Sequence, residues 1–286
     1  MRSLLKSELQ KAFRNPFFGV AVLVGTFLAI MYAVETWRDV MPRLHYILNP
    51  REIECLTCVK EEVNSFSAFY RWIGIYDEYS SSKIFYWCWP ILTAMPYTWS
   101  YWRERRDGSA DKSIAECGWK AYFSAKYLAV FLSGGAVVAW VFVLSFLLNA
   151  TFLPMITIGP GTTNITNGCL LSKVFYTYPW LYCILVTIIC SIFGGVTACL
   201  ALLLGGKTRV QAMPMLTPFV FIMGVDLVIE FLQSPGGKEI SPLRLIEMDR
   251  GIRTEVFLVV LLIMFIISLG GSYLLGKKEA GHGRET

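Results

Sequence analysis

The sequence predicts an all-α integral membrane protein, and three observations support this fold class. Six apolar stretches each hold about 20 residues, which is enough for a helix to cross a hydrocarbon layer of about 30 Å. Of the 286 residues, 55% are hydrophobic and only 16% are charged, which leaves too little polar surface for a soluble fold. Basic residues are also concentrated in alternate connections between the stretches. The predicted spans are residues 17–34, 84–102, 127–150, 179–204, 212–231 and 256–275.

The basic residues predict a multi-pass protein of the cell membrane with both termini in the cytoplasm. In this orientation fifteen of the 26 lysines and arginines lie on the inner side, although the inner connections are the shorter ones. The largest connection on each side is then an outer loop at 35–83 and a cytoplasmic loop at 103–126. The net charge of +5 is explained by this bias and predicts no nucleic-acid partner.

Residues 1–15 predict an amphipathic helix that lies flat on the membrane surface, in contact with lipid. Leu5, Leu9 and Phe13 recur every four residues and therefore share one helix face. Asn15-Pro16 ends this helix and turns the chain into the first span. An ordinary basic tail beside the membrane is the alternative. The cationic side carries Arg2, Lys6, Lys11 and Arg14.

The chain carries no signature of an enzyme. H-E-x-x-H and G-x-S-x-G motifs are absent from the sequence, and it has only two histidines. Gly206-Lys207-Thr208 resembles the end of a phosphate-binding loop, but Ala201 occupies the position of the required first glycine. The sequence therefore predicts no catalytic, cofactor-binding or metal site in this chain.

Three cysteines are predicted to lie outside the cell: Cys55, Cys58 and Cys169. A single C-x-x-C pair without nearby histidines is a weak zinc signal. A structural disulfide suits an oxidising exterior better, and which two of the three would pair stays open.

The second predicted span contains features of a helix that lines a pathway. Pro90 and Pro96 weaken its hydrogen-bond ladder and predict a bend. Thr93, Tyr97 and Ser100 form a polar stripe on one face. The alternative is that these hydroxyl groups form hydrogen bonds inside the bundle or to their own helix.

The fifth predicted span supplies a second candidate pathway wall. Thioether and aromatic side chains on one stripe pass into two carboxylates, a lining that suits an amphipathic cargo. In the alternative interpretation, the two carboxylates pair with Lys238 or Arg244 and hold the following segment in place. The stripe consists of Met215, Phe219, Met223, Asp226 and Glu230.

The layout resembles a known membrane family. Arg14-Asn15-Pro16-Phe17-Phe18 at the end of the first helix, six spans, and Tyr101-x-Arg-Glu-Arg-Arg-x-Gly before the third span are similar to the permease subunit of type-2 ATP-binding-cassette exporters. The resemblance implies an exporter of an amphipathic or hydrophobic substrate, whether peptide, antimicrobial, lipid or drug. It also implies a second copy or a related permease, and a separate cytoplasmic ATPase that binds ATP and Mg. A re-entrant segment before the last span is implied too, and Ser234-Pro235-Gly236-Gly237 supports a sharp turn there.

In this family the loop between the second and third spans docks on the ATPase, and residues 103–113 are the matching segment. Its charges of both signs offer guanidinium and carboxylate groups to a protein surface. A stop-transfer run that only fixes topology is the alternative, although it would not need the acidic residues. A membrane sensor that couples to an ATPase without transport is the alternative function. The predicted coupling residues are Arg103, Glu104, Arg105, Arg106, Asp107 and Asp111.

Overall fold

The computed structural model describes residues 2–47, 66–75, 79–159, 165, 169–204, 210, 212–232, 240–247 and 253–282. Within these ranges all regular secondary structure is helical, as predicted. A 3₁₀ turn, Ala201–Leu203, extends α8, and a π-helical turn, Ile267–Gly271, joins α11 to α12. The helices are α1 (Arg2–Phe13), α2 (Pro16–Ile47), α3 (Ser80–Ala94), α4 (Thr98–Arg106), α5 (Ser109–Cys117), α6 (Trp119–Ala150), α7 (Ser172–Thr177), α8 (Pro179–Leu200), α9 (Ala212–Phe231), α10 (Pro242–Ile246), α11 (Thr254–Ile266) and α12 (Ser272–His282).

Some of the sequence predictions fall outside the described residues. These are the cysteines Cys55 and Cys58, the turn at Ser234-Pro235-Gly236-Gly237, Lys238, and the Gly206-Lys207-Thr208 triplet.

Five helical segments in the described ranges are long and apolar enough to cross a membrane. They contain five of the six predicted spans, and the fifth predicted span coincides with α9. Large apolar side chains such as Leu23, Val220 and Leu262 are more than half exposed on these helices, which suits contact with lipid. The segments are Pro16–His45, Trp119–Ala150, Pro179–Leu203, Ala212–Phe231 and Thr254–Lys277.

The second predicted span is divided into two helices, so the expectation of one continuous helix over 84–102 is corrected. Helix α3 ends at Ala94 and α4 begins at Thr98. Pro96 has no backbone N–H and cannot continue the ladder. The Asn15 side chain satisfies the carbonyl oxygen of Pro96 with a hydrogen bond of 2.8 Å. Neither helix alone is long enough to cross a bilayer, and the sixth span stays a prediction.

Helix α2 continues well beyond the predicted end of the first span at Val34. Its polar continuation supports the start of α3, because Glu35 accepts hydrogen bonds from the backbone N–H and the hydroxyl of Ser81. A carboxylate at the amino end of a helix is favourable because the first N–H groups there lack partners within the helix. Asp39 accepts a further hydrogen bond from Tyr79.

Helices α6 and α8 form the closest antiparallel pair in the bundle. A Cβ atom at Gly134 would lie 2.5 Å from the Cβ of Ala198, and one at Gly135 would lie 2.6 Å from the carbonyl oxygen of Ser191. On the opposite helix, a Cβ at Gly195 would lie 2.7 Å from the carbonyl oxygen of Phe131. Small residues therefore permit this backbone approach, as is common between membrane helices.

Part of the predicted outer loop, residues 66–75, is folded onto the end of the bundle that is remote from α4 and α5. Trp72 is fully buried and its ring meets Phe142 and Phe146 of α6 in edge-to-face contacts. Tyr86 of α3 donates a hydrogen bond to the carbonyl oxygen of Ile73. Aromatic packing of this kind adds to the stability that burial provides.

Helix α10 follows α9 as a short buried segment. Leu245 and Ile246 are fully buried, and α10 contacts both α9 and α3. The structure describes residues 240–247 around α10, and the re-entrant segment stays a prediction.

Candidate functional site

A buried lysine lies where the apolar part of α6 begins. Lys126 is 1% exposed, and its ammonium group is 2.5 Å from Glu8 and 2.8 Å from Glu104. Ser100 and Tyr97 accept further hydrogen bonds from it at 3.2 and 3.3 Å. A buried ammonium group is tolerated only when charged and polar partners replace water, and its partners here come from α1, α4 and the turn before α4.

The two carboxylates bring α1 and α4 to α6. Glu8 of α1 is 3% exposed and also pairs with Lys11 at 2.8 Å. Glu104 of α4 lies 3.6 Å from the same Lys11. Two carboxylates and two ammonium groups therefore balance in charge, which lowers the cost of burying them.

Two tyrosines complete the hydrogen bonding of the carboxylates. Tyr97 donates to Glu8 and Tyr122 donates to Glu104, each at 2.7 Å. The Lys126 ammonium group is also 4.7 Å from the centre of the Tyr97 ring, within cation–π range. We call this set the Lys126 cluster; its members are Glu8, Lys11, Tyr97, Ser100, Glu104, Tyr122 and Lys126.

The cluster shifts the pKa values of two groups of α1, which lies outside the predicted spans. Burial of the Glu8 carboxyl group favours its neutral form, but the charge of Lys126 and the hydrogen bonds from Lys11, Lys126 and Tyr97 outweigh burial and lower the pKa of Glu8 from its ordinary value of 4.5. Burial favours neutral Lys11, yet its hydrogen bond and charge interaction with Glu8, together with Glu104, raise its pKa above 10.5. Both groups are therefore charged at neutral pH.

Helices α4 and α5 form a polar hairpin (Thr98–Cys117) beside the cluster. Gly108 makes the turn with φ +70°, a left-handed conformation that glycine adopts without strain. The buried residues Ala110 and Ile114 of α5 belong to the same apolar core as Tyr101 and Tyr122. The hairpin is thus packed onto the bundle and does not extend freely from it.

The six predicted coupling residues divide between the surface of the hairpin and its root. Arg105 is largely covered and pairs with exposed Asp111 at 2.8 Å, which joins α4 to α5. Glu104 points inward to the Lys126 cluster. The outer surface of the hairpin carries Arg103, Arg106, Asp107 and Asp111.

Asn15 connects three chain segments at the same end of the molecule. Its side-chain N–H group donates to the carbonyl oxygens of Ala12 in α1 and Pro96 at the break between α3 and α4. Its side-chain oxygen accepts from the backbone N–H of Phe18 and so caps α2. The first helix is therefore fixed to the bundle by Asn15 as well as by Glu8.

The structure places the polar stripe of the second predicted span inside the protein. Thr93 is 1% exposed and donates to the carbonyl oxygen of Pro90 in its own helix. Tyr97 and Ser100 belong to the Lys126 cluster. These contacts match the alternative interpretation, in which the hydroxyl groups form hydrogen bonds within the bundle.

The stripe of the fifth predicted span lies on α9 and is only partly covered. Asp226 accepts a 2.6 Å hydrogen bond from Ser241 and lies 3.9 Å from Arg244, so it holds the start of α10. Glu230 is exposed at the far end of α9. The apolar members Met215, Phe219 and Met223 are half-buried. Cys169, the described member of the predicted disulfide set, is buried.

Sequence reasoning missed that Glu8, Lys11, Tyr122 and Lys126 belong to one site. One acidic residue in a basic amphipathic helix is usually solvated, and Lys126 falls at the end of the predicted cytoplasmic loop. A signal was present, however. Glu104 lies four residues after Ser100 and extends the polar stripe of the second span toward the loop.

No protein-family model matches the chain. Neither a curated protein nor a solved structure matches it.

Proposed function

We propose that the chain is the membrane-spanning subunit of an ATP-driven exporter, with hydrolysis on a separate ATPase chain. The observation that carries the proposal is the polar hairpin: it presents charges of both signs at its surface, and its root is joined by the Lys126 cluster to α1 and α6. Movement of a docked protein would be transmitted through such an element to α1 and α6.

The rigidity of the hairpin root supports this role. A docked partner transmits movement only if the contact surface does not move independently of the spans. Glu104 and Lys126 connect α4 to α6 through a buried ion pair, and Arg105 and Asp111 connect α4 to α5. Charge complementarity would then determine which partner binds, through the exposed side chains of Arg103, Arg106, Asp107 and Asp111.

The remainder of the proposal follows the family resemblance. The chain would lie in the cell membrane with both termini in the cytoplasm, pair with a second copy or a related permease, and move an amphipathic or hydrophobic substrate outward. The ATPase would bind ATP and Mg, and this chain would carry out no catalysis. The exposed apolar face of α9 leaves room for a second membrane chain.

The decisive experiment is site-specific photocrosslinking in the source cells. A photoreactive amino acid replaces Arg106 at the end of α4. A matched control carries it at Ser80, which is exposed at the start of α3. We expect an ATP-binding-cassette ATPase to be crosslinked from Arg106 and not from Ser80. Adducts from Arg106 without such an ATPase would refute the docking role.

Charge reversal on the hairpin surface tests coupling. Arg106→Glu combined with Asp107→Lys should reduce co-purification of the ATPase about tenfold or more, because like charges then face each other. Lys6→Glu, an exposed charge change on α1, should leave it unchanged. Glu104→Lys is unsuitable here, since Glu104 is internal to the Lys126 cluster and its loss disturbs folding as well as docking.

Deletion of the chain separates transport from sensing. An exporter predicts that amphipathic peptides or drugs accumulate in the deleted cells, whereas a sensor leaves their export intact. The purified chain should not hydrolyse ATP until the ATPase subunit is added.

A further inference from the structure

An apolar groove of about 850 Å³ runs along the surface between α6 and the last helical segment. Phe123, Tyr127 and Phe131 form one wall, and Ile266, Leu269 and Tyr273 form the other. The walls touch at the bottom of the groove, where the Tyr127 and Ser268 hydroxyl oxygens are 2.9 Å apart. Both walls belong to segments long and apolar enough to cross a membrane, so the groove faces lipid.

The π-helical turn borders this groove through Leu269 and Gly270. π-helical turns are rare and occur often at functional sites. Within this turn a Cβ atom on Gly271 would lie 2.6 Å from Leu203, so Gly271 serves close packing. Gly270 is different, because a Cβ atom there would meet no atom within 4 Å and would project into open space. Packing therefore does not require glycine at 270, and a larger side chain there would enter the groove that Gly270 lines.

One end of the groove is polar and positively charged. Lys120 and Ser124 lie there and are exposed, and Tyr273 lies there and is half-exposed. This end is near the polar hairpin. In the predicted orientation this end lies at the cytoplasmic face of the membrane. A cation at the polar end of an apolar, lipid-facing groove complements a molecule with a negative head and a hydrocarbon tail.

We propose that the groove binds an anionic phospholipid, with an acyl chain between the two walls and the phosphate at Lys120. The inference requires only that the chain lies in a bilayer and is independent of export. Bound lipid would fill the space between α6 and the last helix beside Tyr127, on the same face of α6 as the α8 contact and about two turns before Gly134 and Gly135.

The test is native mass spectrometry of the full chain in detergent, titrated with phosphatidylglycerol and, in parallel, with phosphatidylcholine. We expect preferential retention of one phosphatidylglycerol by the unaltered chain. Gly270→Leu and Leu128→Trp should each abolish it by filling the groove from opposite walls. Lys120→Gln should weaken it about fivefold, which is the effect expected for one lysine near an anionic lipid surface.

Matched control variants distinguish this site from general lipid coating. Gly19→Leu also enlarges a glycine with open space around it, and Lys112→Gln also removes an exposed lysine, yet neither residue borders the groove. Both should retain phosphatidylglycerol as the unaltered chain does. The proposal is overturned if both groove-filling variants retain the lipid, if the controls lose it equally, or if the two lipids are retained equally and Lys120→Gln has no effect.

Discussion

The ammonium group of Lys126 is stable in a buried position because four polar side chains, from α1, α4 and the turn before α4, replace the water it has lost. Two of them are carboxylates, Glu8 and Glu104, and the second cation, Lys11, balances their charge. A buried ion pair is weak grounds for net stability, but removing one partner leaves the others uncompensated. At the residue scale, the Lys126 cluster is thus more sensitive to single changes than to its complete replacement.

Lys126→Met should lower the free energy of unfolding by about 3 kcal/mol, because Glu8 and Glu104 then share only Lys11. Thermal unfolding of the purified protein in detergent measures the loss. The double variant Lys126→Met/Glu8→Gln restores charge balance and should be more stable than the single one. A single variant as stable as the unaltered chain would contradict the buried geometry.

The stability contribution of Glu8 should depend on pH. Its pKa is lowered in the folded state, so the contribution is fully present above the unfolded value of 4.5 and is lost as the pH falls through the folded pKa. The stability difference between the unaltered chain and Glu8→Gln should therefore be constant from pH 7 to about 5 and shrink in more acidic buffer. Denaturation curves at each pH give this difference. If the stability difference instead grew in acid, the pKa of Glu8 would be raised in the folded state and not lowered.

The residue identities in this cluster were predictable only in part. Tyr97 and Ser100 are visible from the sequence as a stripe, since helical spacing alone places them together. Their partners Glu8 and Lys126 come from distant positions, and a single sequence does not pair distant charges. The inward turn of Glu104 depends on how α4 packs, which its own charge pattern does not reveal.

At the element scale, the bend predicted from Pro96 is a complete break, and the Asn15 hydrogen bond satisfies the carbonyl oxygen of Pro96, which the break leaves without a partner in the helix. The spans that matched best, α8 and α9, have continuous apolar runs with clear ends. Helix α2 extends beyond the predicted span, and Glu35 and Asp39 in this extension bind Ser81 of α3 and Tyr79 just before it, contacts that local hydropathy does not reveal.

The antiparallel pairing of α6 and α8 depends on the absence of side chains at their contact. Gly134→Ala should destabilise the protein by about 1–3 kcal/mol, since the new methyl group would meet Ala198 and the backbone of Thr93 at less than 3 Å. Gly224→Ala on α9, where a Cβ atom has open space, is the matched control and should change stability little. Melting temperatures in detergent decide between them, and equal values for both variants would refute close packing.

At the scale of the whole molecule, exposed apolar side chains surround the bundle, while its two ends differ. One end is closed by aromatic packing around Trp72, and the other carries the polar hairpin and α1. This polarity agrees with an asymmetric environment such as a membrane with two different faces.

The predicted orientation is testable by cysteine labelling of intact cells. An introduced cysteine at Ser80 should react with a membrane-impermeant reagent. One at Ser109 should react only after permeabilisation, because the two exposed sites lie beyond opposite ends of the predicted second span. The native Cys117, which is exposed near Ser109, and the predicted outer cysteines Cys55, Cys58 and Cys169 are first replaced by serine. Labelling at Ser109 in intact cells would invert the topology.

The buried contact between Glu8 and Lys126 also constrains the order of events during synthesis. Glu8 leaves the ribosome early, but Lys126 follows only after more than a hundred further residues. At about 5–20 residues per second this delay is on the order of 10 s. Throughout that interval Glu8 lacks its partner on α6, so its carboxylate can be satisfied only by Lys11 of its own helix and by water. Glu8 can therefore reach its final position only after the start of α6 has been synthesised.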